Sequence, residues 1–304
     1  MFEAGIYHDI SNEDYHHGPG DSKSDLDRVR RSPLHYKANK DAANDNERAN
    51  SPTADQAFGT AYHTFILEPD EFDKRYVTVP EGAPKKPTIT QRNAAKPSPA
   101  TIEAIDFWDK FEAESVGKQI IDIDDLDTLH KMAEVLSDHP AARALMTSAP
   151  GRAEMSAYWI DPNTGLLLRC RPDYWREDGI LVDLKTTGDA SLAEFSRSVA
   201  KWRYHVQAPF YLDGTNHAII QSGSKIKRPE QFVFVAQEKK PPFAPACYVL
   251  DDEGMRIGRA EYRADLERLA ECKTSDVWPG YGAQIQNIGV PVWYSKNAVE
   301  GGAE

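Results

Sequence analysis

The sequence predicts an α/β protein of the α+β kind, with one mixed sheet flanked by helices. Two observations carry this. Apolar residues recur at helical spacing through much of the first 150 residues, whereas between residues 151 and 185 the period shortens to that of strands, with turn residues between them. A helix, two further strands and a closing helix then complete the order β-β-β-α-β-β-α.

Residues 1–50 read as turn-rich and then helical. Ser22, Ser24 and Asp25 precede Leu26 and Val29, Ser24 with Asp27 has the spacing of a capping box, and Pro33 ends that helix or opens the next. The polar stretch from Asp41 to Asp55 reads as a loop. DQAFGTAYHTFIL (55–67) reads as a helix with Phe58, Tyr62, Phe65 and Ile66 on its apolar side and His63 on another face, one turn after Gly59. Residues 80–100 carry prolines at 80, 84, 87, 97 and 99 with basic residues between, the pattern of a mobile loop or insertion. Asp124 to Met146 reads as one helix. AEMSAYWI (153–160), LLLRCRPD (166–173) and ILVDLK (180–185) read as strands joined in hairpins by the turns DPNTG and YWREDG. A helical region follows from Ser191 to Asp213, then strands QFVFVAQ (231–237) and PACYVLD (245–251). Asp251 to Glu271 is an amphipathic helix. The whole is expected to form a single domain over 1–304: a helical part (1–150), a sheet core (151–275) and an irregular tail (276–304).

Composition narrows the function classes. The formal net charge of -12 argues against a protein that coats nucleic acid through a broad basic surface, but not against one that grips phosphates in a confined channel. Cys170, Cys247 and Cys272 form no CxxC pair, which disfavours a cysteine-based zinc site or disulfide framework and suits a reducing compartment. No stretch approaches the roughly 18 apolar residues of a membrane span, and MFEAGIYHDI lacks the pattern of a signal peptide. The expected location is the cytoplasm, with no membrane partner.

Alternation along a strand puts Arg169, Arg171 and Asp173 on one face, and Leu181, Asp183 and Lys185 likewise. If the two strands pair, Asp173 and Asp183 converge, with Lys185 two residues beyond and Glu154 approaching from the preceding strand. Such acids are costly to desolvate unless they hold a cation. Carboxylate oxygens suit Mg²⁺, which lowers the pKa of bound water and polarises a phosphoryl oxygen, while a lysine offsets charge on the phosphate. A phosphodiester is the natural substrate of this group.

These residues carry a resemblance. RPD (171–173), nine residues, then DLK (183–185) resembles the PD-(D/E)XK nuclease motif. GTAYH (59–63) is similar to the histidine motif of the RecB-like branch, and YHVQAPFY (204–211) contains that branch's QxxxY as Gln207 and Tyr211. GIYHDISNEDYHHGPGDSKSDLD, GTAYHTFILEPDEF, YWIDPNTGLLLRCRPD and VDLKTTGD resemble segments of RecE-like (exonuclease VIII) nucleases, from about residue 5 to about residue 280. The resemblance implies a PD-(D/E)XK restriction-endonuclease-like core with flanking helices. It implies a 5′-to-3′ exonuclease on double-stranded DNA, of phage or prophage type in a bacterial host cell, using Mg²⁺ (Mn²⁺ substituting) and leaving 3′ single strands for recombination by strand annealing. His63, Asp173 and Asp183 would hold metal with the backbone carbonyl of Leu184, Glu154 would sit at or near a second metal, and Lys185 would be the catalytic lysine. Gln207 and Tyr211 would support the site or contact DNA. The partners implied are double-stranded DNA ends, a RecT-like annealing protein and further copies of the chain in a ring, a tetramer being favoured. A ring would reconcile the net charge with DNA binding, because only its inner wall need be basic. RecE proper has a long additional N-terminal region with no counterpart in this sequence, so the nuclease domain standing alone is expected. Residues 80–100 have no counterpart either.

Competing readings exist. Asp183 and Lys185 alone would make an edge-strand ion pair worth about 0–1 kcal/mol. Arg169 and Arg171 either serve phosphates or balance the acids. Ser22, Lys23 and Ser24 either bind a terminal phosphate at a helix N-terminus or simply cap it. A single-strand-specific or endonucleolytic enzyme would use the same fold. A non-catalytic DNA-end-binding module is disfavoured because Asp173, Asp183 and Lys185 are all present.

Overall fold

The computed structural model describes residues 3–44 and 53–291. The chain opens with β1 (Gly5–Tyr7), α1 (Asn12–His17), α2 (Lys23–Arg31) and α3 (Pro33–Asn44). Next come α4 (Ala54–Leu67), α5 (Pro69–Arg75), β2 (Tyr76–Thr78), α6 (Ile89–Arg92), α7 (Pro99–Glu114) and β3 (Gln119–Ile121). Then follow α8 (Ile123–Asp138), α9 (Pro140–Thr147), β4 (Gly151–Ala153), β5 (Ser156–Ile160), β6 (Leu167–Cys170), β7 (Tyr174–Arg176) and β8 (Ile180–Thr187). The last are α10 (Leu192–Lys201), α11 (Tyr204–Ser222), β9 (Gln231–Glu238), β10 (Pro245–Tyr248) and α12 (Asp252–Ser275).

A five-stranded sheet of order β10-β9-β8-β7-β4 forms the centre, with β8 and β9 parallel and the remaining pairs antiparallel. β8 and β9 are joined by a crossover through α10 and α11, as parallel pairing requires. Period-two alternation sorts their side chains onto two cores. Leu181, Phe232 and Phe234 pack with α11, α12 and α2. Val182, Leu184 and Val235 pack with Tyr62 of α4 and with Leu129 and Met132 of α8. The two faces thus bring α11 and α4, the helices bearing Gln207 and His63, to opposite sides of one strand.

The predicted mixed sheet with flanking helices is present, but it is divided in two. β1, β5 and β6 form a separate three-stranded sheet. The expected strands 153–160 and 166–173 do pair in the expected hairpin, and one register runs through both sheets: Ala157 faces Cys170, and Ala153 faces Tyr174. The ladder breaks where Glu154 takes a left-handed backbone conformation, φ 53°. Such a residue costs about 1 kcal/mol or more and bends the strand there.

Other expectations shift for local reasons. YWREDG is not wholly a turn: Tyr174–Arg176 is β7, and the turn closes at Gly179, φ 94°. The strand that pairs with β8 is therefore β7, not 166–173. The capping box is Ser22 with Asp25, two residues before the expected pair Ser24 and Asp27. Pro33 does open the next helix, and that helix carries 41–44 into the expected loop, whose residues 45–52 lie outside those described. The helix expected over 124–146 is two, because Pro140 has no N–H to continue α8 and instead sits at the start of α9. The helix expected over 191–213 is also two. It breaks at Arg203, φ 54°, whose guanidinium is held by Asp27, Glu261 and Asp265, and α11 then continues to Ser222. Within 80–100, α6 forms and Pro99 begins α7, while Trp108 Nε1 of α7 donates to the Pro84 carbonyl at 2.7 Å.

The contact of α11 with α12 sets the position of Gln207. Pro209 cannot donate to the carbonyl four residues earlier, that of His205, and Gly258 of α12 approaches this oxygen. A Cβ at Gly258 would lie 1.6 Å from it. Gly258→Ala is therefore expected to destabilise the protein by about 3 kcal/mol, outweighing the roughly 1 kcal/mol that alanine gains over glycine in a helix. Urea denaturation measures this; a variant as stable as the parent would mean that α11 and α12 do not pack in this way.

Candidate active site

β4, β7 and β8 carry three acids in one row. In the β7–β8 ladder Tyr174 faces Val182, so Asp173 continues the register opposite Asp183. In the β4–β7 ladder Ala153 faces Tyr174, so Glu154 continues it opposite Asp173, and the Glu154 N–H donates to the Asp173 carbonyl at 3.1 Å. A cavity of about 750 Å³ lies over Glu154 and Asp173, walled by α1 and its approach, α4, α5 and the start of α11.

The acids divide between two settings. His63, Glu154 and Asp173 offer one imidazole nitrogen and two carboxylate oxygens within 4.8 Å of one another, with His63 Nδ1 3.6 Å from Asp173 Oδ2. The same Asp173 oxygen accepts from the Leu184 N–H at 2.7 Å. Asp183 is buried and turned the other way. Its Oδ1 pairs with the Lys185 ammonium, and its Oδ2 accepts from Gln207 Nε2 at 2.5 Å. Lys185 Nζ also lies 4.9 Å from the centre of the Tyr204 ring, a cation–π contact.

Burial shapes the charges. Burial first, and the adjacent Asp173 carboxylate next, push Glu154 up to about 8, against the pull of Arg171. Burial raises Asp173 to about 6, opposed by Lys185 and the Leu184 N–H. Asp183 is likewise raised by burial to about 6, with Lys185 opposing. Burial and the Lys185 ammonium push His63 down to about 4, so its ring is neutral near pH 7 and free to act as a ligand. Burial works against the charge on Lys185, but Asp183 and Asp173 outweigh it and hold the ammonium above its ordinary range. Burial raises all three carboxyls, so positive charge beside them would be favourable. An imidazole with two carboxylates fits a divalent cation of the oxygen-preferring kind.

The sequence-predicted residues are thus only partly gathered. His63, Glu154 and Asp173 form the cluster, whereas Asp183 faces Lys185 and Gln207. Leu184 lines the cavity, as do Lys185 and Tyr211. Arg169 and Arg171 are buried clamps. Arg169 Nη1 donates to the Tyr15 and Gly18 carbonyls, and Arg171 donates to Ser156 Oγ at 2.8 Å and the Ile10 carbonyl at 3.0 Å, with Tyr15 under its guanidinium. Ser22, Lys23 and Ser24 line a second cavity beyond Tyr15 and Tyr211; Ser22 caps α2, and Lys23 pairs with Asp27 and donates to the Trp202 carbonyl. Sequence reasoning missed Tyr204, Glu68 and Arg75. Tyr204 could have been found from its helical spacing to Gln207 and Tyr211. Glu68 and Arg75, in a bidentate ion pair on the cavity wall, carry no such signal.

The sequence matches over residues 22–289 the family described as a PDDEXK-like domain of unknown function (DUF3799). A search of curated proteins gave no match. Among solved structures, the fold is similar to the crystal structure of a candidate exonuclease from Eubacterium rectale, at TM-score 0.56 and 11% identity, covering 95% of this chain and 98% of that one. No helix among the described residues is long and apolar enough to cross a membrane.

The shifted acids give a pH signature. A carboxyl raised in the folded state binds its proton more tightly there than when unfolded, so stability falls as pH rises from the unfolded value through the folded one. His63, depressed to about 4, acts in the opposite sense, but most of its gain is complete by its ordinary value of 6.5. Between pH 6.5 and 8.5 the loss from Glu154, raised to about 8, therefore outweighs the remainder of the His63 gain. The melting midpoint of metal-free protein should fall across this window, and a divalent cation should restore it more at pH 8.5 than at pH 6.5. A midpoint that rises with pH in metal-free buffer would contradict the buried-acid cluster.

Proposed function

The chain belongs to the PDDEXK-like family DUF3799, and on that footing we propose that it is a metal-dependent deoxyribonuclease, an exonuclease acting 5′ to 3′ on double-stranded DNA. The observation that carries the reading is the His63–Glu154–Asp173 cluster and Lys185 lining one cavity, with Asp183 buried behind the lysine. Mg²⁺ is the favoured ion, with Mn²⁺ substituting. The natural substrate is a linear duplex end and the product a 3′ single strand, the substrate of a RecT-like annealing protein. A ring of subunits, a tetramer being favoured, would reconcile the chain's formal net charge of -12 with DNA binding, since only an inner wall need be basic.

Hydrolysis of a phosphodiester has two demands: an oriented water, and relief of the charge that builds on the phosphoryl oxygens. A divalent cation at His63, Glu154 and Asp173 would supply Lewis acidity and a more acidic water. Lys185 meets the second demand. Held protonated by Asp183 and Asp173, it acts as a cation toward phosphate and not as a base. Asp183 aims that ammonium, Gln207 fixes Asp183 from the other side, and the face of the Tyr204 ring lies 4.9 Å from the ammonium. The neutral His63 ring keeps a lone pair available without adding a competing charge.

Three substrates test this: linear duplex labelled separately at its 5′ and 3′ ends, closed circular duplex, and single strands, each with Mg²⁺ and with chelator. Mg²⁺-dependent loss of the 5′ label from linear duplex, with circles spared, is expected. Cut circles would make it an endonuclease on the same scaffold, and no cleavage of any substrate would leave a DNA-end-binding module. Lys185→Ala should retain duplex binding and slow cleavage by about 100-fold or more; a variant near the parent rate would remove Lys185 from the chemistry.

A further inference from the structure

The cavity over the acid row is poor in positive charge. Six carboxylates line it, Glu68 and Glu154 among them, and its lysine and arginine side chains among the described residues are Arg75, Arg171 and Lys185. A nucleic-acid strand carries one charge per phosphate and needs cations along its path. Two of the three already have other tasks. Arg171 is bonded to Ser156 and the Ile10 carbonyl, and Lys185, paired with Asp183, is the cation assigned to the phosphate under attack. Their side chains are 5% and 17% exposed, against 40% for Arg75.

Arg75 ends α5, and its placement is not loose. Nη1 and Nη2 donate to the two oxygens of Glu68 at 2.9 and 3.0 Å. Glu68 is the residue on which α4 ends and α5 begins, five positions after His63. The guanidinium is therefore fixed to the helix that carries the candidate metal ligand, yet stays half open to the cavity. A guanidinium has five N–H donors, and the Glu68 fork uses one on each terminal nitrogen, so three remain for an anion. Glu68 and Arg75 line the same cavity as Glu154 and Asp173.

We propose that Arg75, clasped by Glu68, is a substrate-positioning residue that holds a backbone phosphate of the bound strand next to the one under attack. This rests on the nuclease reading. It assigns to α5, an element with no part in the metal cluster, the task of seating the strand. It also explains why a bidentate pair stands on a wall already crowded with acids: Glu68 sets the orientation of Arg75 and leaves its outer donors unused.

Steady-state cleavage of linear duplex with Mg²⁺ at several salt concentrations tests this for the parent, Arg75→Ala, Arg75→Lys and Glu68→Gln. Arg75→Ala should raise KM by about tenfold, with a smaller change in kcat. It should also make the slope of log KM against log salt shallower by about one, as loss of one phosphate contact does. Arg75→Lys keeps the charge and should keep the slope, but without the fork it should not recover the parent KM. Glu68→Gln should keep the slope and raise KM, since the guanidinium is charged but less firmly held. Parent KM and slope in Arg75→Ala, with or without a lowered melting midpoint, would overturn the proposal. If Arg75→Ala fails to fold, a parent KM in Arg75→Lys would overturn it. A parent protein that cleaves nothing would overturn the nuclease reading and this inference together, an outcome distinct from a parent that cleaves and an Arg75 variant that matches it.

Discussion

Like charges on neighbouring strands repel, and Glu154, Asp173 and Asp183 stand in one row across three of them. Much of the surrounding structure serves to keep that row in place. Backbone pairing sets the spacing, and Lys185 and Gln207 fasten the Asp183 end. The Leu184 N–H holds the middle, and Arg171 lies 3.9 Å from the Glu154 end. Beneath the row, Val182 and Leu184 anchor β8 in one core and Leu181 in the other, so the strand cannot move away from its neighbours without exposing apolar surface on both sides. The strain is thus carried by ordinary packing, and the acids are left ready for a cation.

Much of the site legible in the sequence lies on continuous regular elements, with Glu154 and Asp173, just beyond the ends of β4 and β7, as exceptions. DLK lies on β8, where alternation alone puts Leu181, Asp183 and Lys185 on one face, and Gln207 and Tyr211 lie on uninterrupted helix. The division of the sheet was not legible, because it depends on Glu154 adopting a left-handed conformation with no glycine or proline to mark it. The break at Arg203 was hidden for the same reason: it is supported by carboxylates from α2 and α12, far away in sequence. Arg169 and Arg171 share the face of Asp173 as expected, but the backbone carbonyls of the segment around α1 that claim them have no signature in side-chain pattern. The start of α7 lies within a proline-rich stretch, whose turn-like composition masks a proline serving at a helix N-terminus.

The N-terminal half matters to the site more than its distance in sequence suggests. α4 brings His63 over the sheet edge, α5 extends that wall, and the residues around α1 close the cavity from the other side, pinned by two buried arginines from the strand side. The cavity is therefore the seam between a helical half and a sheet half. Its depth depends on contacts made across that seam and not on either half alone.

The shared register has a consequence for how this chain tolerates changes in length. The hairpin at 161–165 and the turn at 177–179 together set which residue stands opposite which in both ladders. Adding or removing one residue within the paired stretches 167–176 or 180–183 would turn an acid of the row to the opposite face, whatever its effect on folding. Extra residues at the tip of the 161–165 turn would leave every pairing as it is. In the lineage of this chain, insertions should therefore be found at turn tips and in the stretch before α7, and not within the paired stretches that carry the acids of the row.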